Sequence, residues 1–125
     1  MEIASFAAAL VHLGATFAPG AAPDRFVVDG NELRAAQVLA PPGPPWLCLM
    51  VELGRIDGFV LRATLVANAE LPIGALALLD HQLILRQTLP IAGLLVAQLD
   101  QAMRGLARVA AELRAPASPY AYIVR

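Results

Sequence analysis

Residues 71–93, LPIGALALLDHQLILRQTLPIAG, form the most regular pattern in the chain. Two short apolar runs flank the polar pair Asp80-His81, and Pro90 and Gly93 interrupt the chain after the second run. Apolar runs of this length on either side of a turn predict two antiparallel strands, at residues 75–79 and 82–89. An amphipathic pattern follows directly, so we expect a helix at residues 94–114 that covers these strands.

The first half of the chain predicts the remaining parts of one α+β domain. Residues 2–14 carry apolar side chains at helical spacing, with Glu2 at the positive end of the helix and Gly14 at its stop. Strands are expected at residues 26–28, 33–39 and 46–53, with an Asp29-Gly30 turn after the first. A second helix is expected at residues 56–69. The predicted order is α-β-β-β-α-β-β-α, a twisted, mainly antiparallel sheet covered by helices.

Length, charge and cysteine usage narrow the class of protein. The 125 residues predict one domain, residues 1–114, and a tail at residues 115–125 that we expect to be flexible. The net charge is −1 and the Arg residues are scattered, so we expect no nucleic-acid partner. No run approaches the ~18–20 apolar residues that cross a bilayer, so we expect no membrane insertion. A single cysteine, Cys48, fits a reducing cytoplasm.

The sequence shows no motif of a catalytic or metal-binding site. His12 is predicted on the outer face of the first helix and His81 in a turn, and neither has partners at metal-ligand spacing. Cys48 lies within an apolar strand, where a buried thiol is expected. We therefore expect no catalytic residue, no metal and no cofactor. A small enzyme or ligand-binding domain remains an alternative.

Apolar surface is the feature that most suggests a function. Hydrophobic residues make up 58% of the chain, against a usual ~45–50%. Part of this excess is expected to face another chain, although the abundance of alanine offers another explanation. In the second predicted helix, Leu61 and Leu65 lie almost opposite the face that suits the sheet. Binding of another polypeptide is the function most consistent with this pattern.

The motif DHQLILRQTLPIAGL (residues 80–94), followed by a long amphipathic helix, resembles the class I type III secretion chaperones of the Tir-chaperone family. Their pattern there is L-x-L-x-x-x-L-P before the last helix. ELGRI (residues 52–56) and the later Ala67-Asn68 are similar to the family's second helix, and residues 10–14 to its first. The order of elements also matches. The chain departs from the family in being nearly neutral and in its stiff proline-rich connection at residues 41–45.

The resemblance implies a bacterial cytoplasmic chaperone that binds the N-terminal segment of a secreted effector in extended form, without ATP. The effector would fill apolar grooves and add a strand at an exposed sheet edge. The secretion ATPase is a further candidate partner. A regulatory binding module on the same fold, whose client is a regulator, is the alternative.

The resemblance also implies a homodimer built around the second helix and the neighbouring strand. The expected dimer residues are Leu61, Thr64, Leu65, Asn68, Leu76 and Leu78. The expected effector-binding residues, chosen by position, are Ile3, Phe6, Leu10, Leu33 and Val38.

Overall fold

The computed structural model describes residues 1–39, 43–55, 68, 71 and 73–114. Across these residues, six strands form one antiparallel sheet and two helices pack on one of its faces, the α+β fold that was predicted. The elements are α1 (Phe6–Thr16), β1 (Ala18–Pro19), β2 (Arg25–Val28), β3 (Asn31–Val38), β4 (Trp46–Arg55), β5 (Ala75–Leu79), β6 (Gln82–Pro90) and α2 (Val96–Arg114). The predicted second helix, except Asn68, and the predicted tail lie outside the described residues.

The strand order in the sheet is β1-β2-β3-β4-β6-β5. Both predicted hairpins form, with Asp29-Gly30 (φ 49° and 81°) between β2 and β3 and Asp80-His81 (φ 50° and 64°) between β5 and β6. Positive φ at both central residues is the geometry of a type I′ turn, whose twist matches that of the flanking strands. Each two-residue turn sets the register of its hairpin and therefore which side chains share a face.

α1 begins later and ends later than predicted. Ser5 caps the helix, because its Oγ accepts a hydrogen bond from the Ala8 N–H at 3.1 Å. Glu2 therefore does not lie in the helix; it forms an isolated β-bridge with Leu95. Gly14 does not stop the helix, which continues to Thr16. The sequence signal that was overlooked is the N-cap preference of serine.

β1 was not predicted, because residues 15–24 have the Pro and Gly content of a loop. Ala18 and Pro19 pair with Val27 and Phe26 of β2. This pairing depends on β2 lying alongside, so it is not visible in the local sequence.

β4 is the central strand, as its apolar sequence predicted, and pairs with β3 and β6. Leu47, Leu49 and Val51 point to the helices and are buried. On the opposite face Cys48 is buried but Glu52 is exposed, so the expected cover of both faces is only partial. The inner face of the sheet joins the helices in one core, which includes Ala9, Leu13, Phe26, Val28, Leu33, Leu83, Leu85, Leu99, Met103, Leu106 and Leu113.

The buried face of α2 is wider than the apolar stripe that the sequence predicted. Ala107 and Gly105 are buried in addition to the expected leucines. Gly105 allows a close approach: a Cβ there would lie 2.8 Å from Ile73 Cδ1, so the end of the Ile73 side chain would have to shift. Leu95, predicted within the stripe, is exposed because it precedes the first helical turn; its N–H donates to Gln98 Oε1 at 2.9 Å.

Candidate protein-binding surfaces

An apolar corner formed by Val38, Leu39 and Trp46 lies where β3 ends and β4 begins. Val38 and Trp46 are register partners, so both side chains lie on the sheet face opposite the helices. The three side chains are 42%, 66% and 38% exposed. Val38 was predicted as a client-binding residue. Leu39 and Trp46 were missed, because their contribution depends on a cross-strand register that the sequence does not state.

The other end of the same sheet face is charged. Arg25 donates hydrogen bonds to Glu32 and to Glu52, both at 3.1 Å, and Arg34 donates to Asp24 at 3.1 Å. The carboxylates of Glu52 and Glu32 hold the pKa of Arg25 above its ordinary value. Since these groups keep this end hydrated, an apolar segment of a partner fits the corner better than the face as a whole.

The outward side of α1 carries no charged side chain. Ala7, Val11 and Ala15 are exposed there. His12 was predicted on this outer face, but it is half-buried against α2, with Nε2 2.7 Å from Asp100 Oδ1. The guanidinium of Arg104 lies 5.1 Å from the ring centre of Phe17. These contacts attach α1 to α2 and leave an uncharged helix surface facing outward.

The five predicted effector-binding residues fall into three groups. Ile3 and Leu33 are buried in the core, so their side chains do not present a surface to a partner. Leu33 is buried because the hairpin register turns the odd-numbered side chains of β3 toward the helices. Phe6 and Leu10 are half-buried and pack against the core. Val38 alone of the five is an exposed side chain on the sheet.

The predicted dimer residues are brought together only in part. Leu61, Thr64 and Leu65 lie outside the described residues. Leu76 is buried in the core, whereas Leu78 is 50% exposed at the edge of the sheet. The carboxamide of Asn68, another predicted dimer residue, hydrogen-bonds the backbone of β5.

The contacts of Asn68 involve both backbone groups of one β5 residue. The Leu76 N–H donates to Asn68 Oδ1 at 2.7 Å, and Asn68 Nδ2 donates to the Leu76 carbonyl at 3.4 Å. β5 is a terminal strand of the sheet, so these two groups point away from β6. The opposite terminal strand, β1, has two residues, one of them Pro19. Neither edge therefore presents a long row of available backbone groups in the described part of the chain.

An open groove of about 730 Å³ lies between α2 and the end of β6. Its floor includes Ile73 and Leu89, and its rim includes Arg104 and Arg108. The Oε1 atom of Gln87 is buried there and accepts no hydrogen bond from the described residues. The sequence contains no signal for this groove, because its lining residues come from separate parts of the chain, including Ile73, β6 and α2.

The groups able to carry out catalysis remain dispersed. Burial raises the pKa of the Cys48 thiol, opposed by the charges of Arg86 and Arg34, so the unreactive protonated form is favoured. His81 is exposed in its turn. The described residues contain no group of three His, Cys, Asp or Glu side chains that could hold a metal ion. No described helix is both long enough and apolar enough to cross a membrane.

A comparison with models of protein families finds none that matches this chain. A comparison with curated proteins also finds no match.

Proposed function

We propose that this chain is a type III secretion chaperone, which binds the N-terminal segment of a secreted effector and keeps it extended without ATP. The resemblance of residues 80–94, and of the element order predicted from the sequence, to the Tir-chaperone family motivates the proposal. A chaperone of this kind needs apolar surface that is not required for its own core. The described residues offer such surface at the apolar corner and on α1.

The apolar corner is the observation that carries the proposal. The core is complete without Val38, Leu39 and Trp46. Val38 and Trp46 expose a large fraction of their side chains on one sheet face, and Leu39 is exposed next to Val38 in the chain. A tryptophan beside aliphatic side chains is a common anchor for a partner, because a large ring buries much apolar area with few rotatable bonds. An extended effector segment could place alternate apolar side chains here.

The described edges of the sheet leave few backbone groups available for strand addition by the effector segment. Strand addition requires a run of available backbone N–H and C=O groups, and β5 has both groups of Leu76 bonded to Asn68. We therefore propose that side-chain burial at the corner contributes more to client binding than strand addition does.

The proposal includes a homodimer. Leu78, the exposed member of the predicted dimer set within the described residues, supports a contact near β5. The mass of the purified chain by light scattering tests this part: twice the mass of one chain is expected, and a mass of one chain across the accessible concentrations would contradict it.

Co-expression with the N-terminal segments of proteins encoded beside this gene tests client binding. One segment should co-purify with the chain. The variant Val38→Asp should lower its recovery at least about tenfold, because binding would then bury an unpaired carboxylate. The matched control is Gln37→Asp, an exposed neighbour on the same strand whose side chain points to the other sheet face.

Circular dichroism should show both variants folded, since each replaced side chain is exposed. Equal recovery of the segment with Val38→Asp and with the wild-type chain would refute binding at the corner. Capture of a regulator of the secretion system, with no effector bound, would favour the alternative role as a regulatory module.

A further inference from the structure

The groove between α2 and the end of β6 contains a buried hydrogen-bond acceptor that has no donor among the described residues. Gln87 is the register partner of Leu49, which points to the helices, so the Gln87 side chain lies on the same inner face of the sheet. Its Oε1 atom is buried and accepts no hydrogen bond from the described residues. Since buried polar atoms are almost always hydrogen-bonded, this atom indicates an occupant of the groove that supplies an N–H or O–H.

The rest of the groove suits an aromatic ring. Ile73 and Leu89 form an apolar floor, and Gly105 leaves the adjoining side of α2 without a side chain. Arg108 lies three residues further along the same side of α2 and lines the rim, where a guanidinium attracts the face of an aromatic ring. An apolar floor, a cation and one acceptor together fit tyrosine, which has an apolar ring with a hydroxyl donor at its tip.

The chain contains such rings shortly after α2. Both of its tyrosines, Tyr120 and Tyr122, lie in the tail at residues 115–125, outside the described residues. α2 ends at Arg114, and Arg108 lies about 9 Å back along the helix axis. Tyr120 is six residues beyond Arg114, and an extended chain of that length spans up to about 20 Å. The tail is therefore long enough to turn at the end of α2 and bring its tyrosines to the groove.

We propose that residues 115–125 fold back along α2, with a tyrosine ring in the groove and its hydroxyl donating to Gln87 Oε1. The two prolines of the tail oppose a continued helix and favour an extended backbone. Residues two apart in an extended chain project to the same side, so Tyr120 and Tyr122 face the groove together. The sequence predicted a flexible tail, whereas this inference gives the tail a fixed position. It does not rest on the proposed chaperone function.

Fluorine NMR of the full chain labelled with 3-fluorotyrosine tests the inference, because both signals come from the tail. At least one signal should be displaced from its position in the urea-unfolded chain. Leu89→Asp should return it to that position, since a docked ring would bury an unpaired carboxylate. Leu79→Asp is the matched control, an exposed leucine outside the groove, and should leave the displacement unchanged. Gln87→Leu, which removes the acceptor, should shift the displaced signal further.

Nuclear Overhauser effects in the wild-type chain decide the matter even if Leu89→Asp does not fold. They should join the tyrosine rings to the methyl groups of Ile73 and Leu89 within one chain, in a mixture of labelled and unlabelled copies. The inference is wrong if both fluorine signals lie at their unfolded positions, or if a folded Leu89→Asp chain keeps the displacement. Equal loss of the displacement with Leu79→Asp would also contradict it.

Contacts of the groove methyl groups with residues 56–67, or with a second copy of the chain, would assign the groove to another occupant and overturn the inference. A signal that is insensitive to Gln87→Leu would refute the hydrogen bond from the tyrosine hydroxyl.

Discussion

Asn31 is a buried polar side chain that joins the start of β3 to the end of α2. Its Nδ2 donates to the Ala107 carbonyl at 3.3 Å, and its Oδ1 accepts from the guanidinium of Arg114. Arg114 also donates to the Glu52 carbonyl at 2.5 Å. A buried amide is tolerated only when it is hydrogen-bonded, so these contacts make Asn31 a specific connection between sheet and helix.

Replacing Asn31 by alanine should lower the free energy of unfolding by about 1–3 kcal/mol, because the Ala107 carbonyl and the Arg114 guanidinium lose a buried partner. Urea unfolding followed by circular dichroism measures the change. Gln37→Ala, on the same strand but exposed, should stay within about 0.5 kcal/mol of the wild-type chain. An Asn31→Ala chain as stable as the wild type would mean that these contacts contribute nothing in solution.

At the scale of elements, each of the two described helices contains a glycine, and the space around the two glycines differs. Gly14 lies within α1 with no other atom within 4 Å of an added Cβ, whereas Gly105 of α2 faces Ile73 Cδ1 at 2.8 Å. Glycine in a helix costs about 1 kcal/mol relative to alanine. At Gly14 nothing in the described surroundings offsets this cost; at Gly105 the close packing of Ile73 does.

Gly14→Ala should therefore raise the free energy of unfolding by about 0.5–1 kcal/mol. Gly105→Leu should lower it by about 1–3 kcal/mol, because the larger side chain displaces Ile73 from the helix surface. Shifts of the urea midpoint at constant slope measure both effects. A shift in the same direction for the two variants would show that the packing of Ile73 does not decide the outcome.

At the scale of the whole molecule, Cys48 reports on opening of the sheet. The thiol lies on central strand β4, 3% exposed, and burial raises its pKa. A raised pKa lowers the thiolate fraction at neutral pH, and the thiolate is the reactive form. The burial of the Cys48 thiol and its raised pKa therefore both slow its reaction with reagents in the folded chain.

An aromatic disulfide reagent at neutral pH should modify Cys48 at least about a hundredfold more slowly in the folded chain than in urea-unfolded chain. The rate in the folded chain should rise with pH as the thiol ionises. Cys48→Ser supplies the blank, since Cys48 is the one cysteine of the sequence. Comparable rates in the two states would mean that the sheet opens readily around β4.

The sequence by itself determined five of the six described strands, the two hairpins and the long final helix. These features depend on interactions between near neighbours: side chains alternate with a period of two along a strand, and Asp-Gly accepts the positive φ of a type I′ turn. For the same reason β4 could be identified as central from its run of apolar residues. The turns also set the hairpin registers and therefore which side chains share a face, but they do not show which face the helices cover.

Only the tertiary structure decided which apolar side chains remain outside the core. Leu33 and Val38 lie on the same predicted strand but on opposite faces. The packing of the helices buries Leu33, whereas the register with β4 places Val38 beside Trp46 at an exposed corner. The hydrogen bonds of Asn68 also cannot be predicted from the residues next to it in the sequence, because they join it to Leu76 of β5, eight residues away. Burial and edge contacts result from how elements meet in space, and residue type and local spacing do not encode that arrangement.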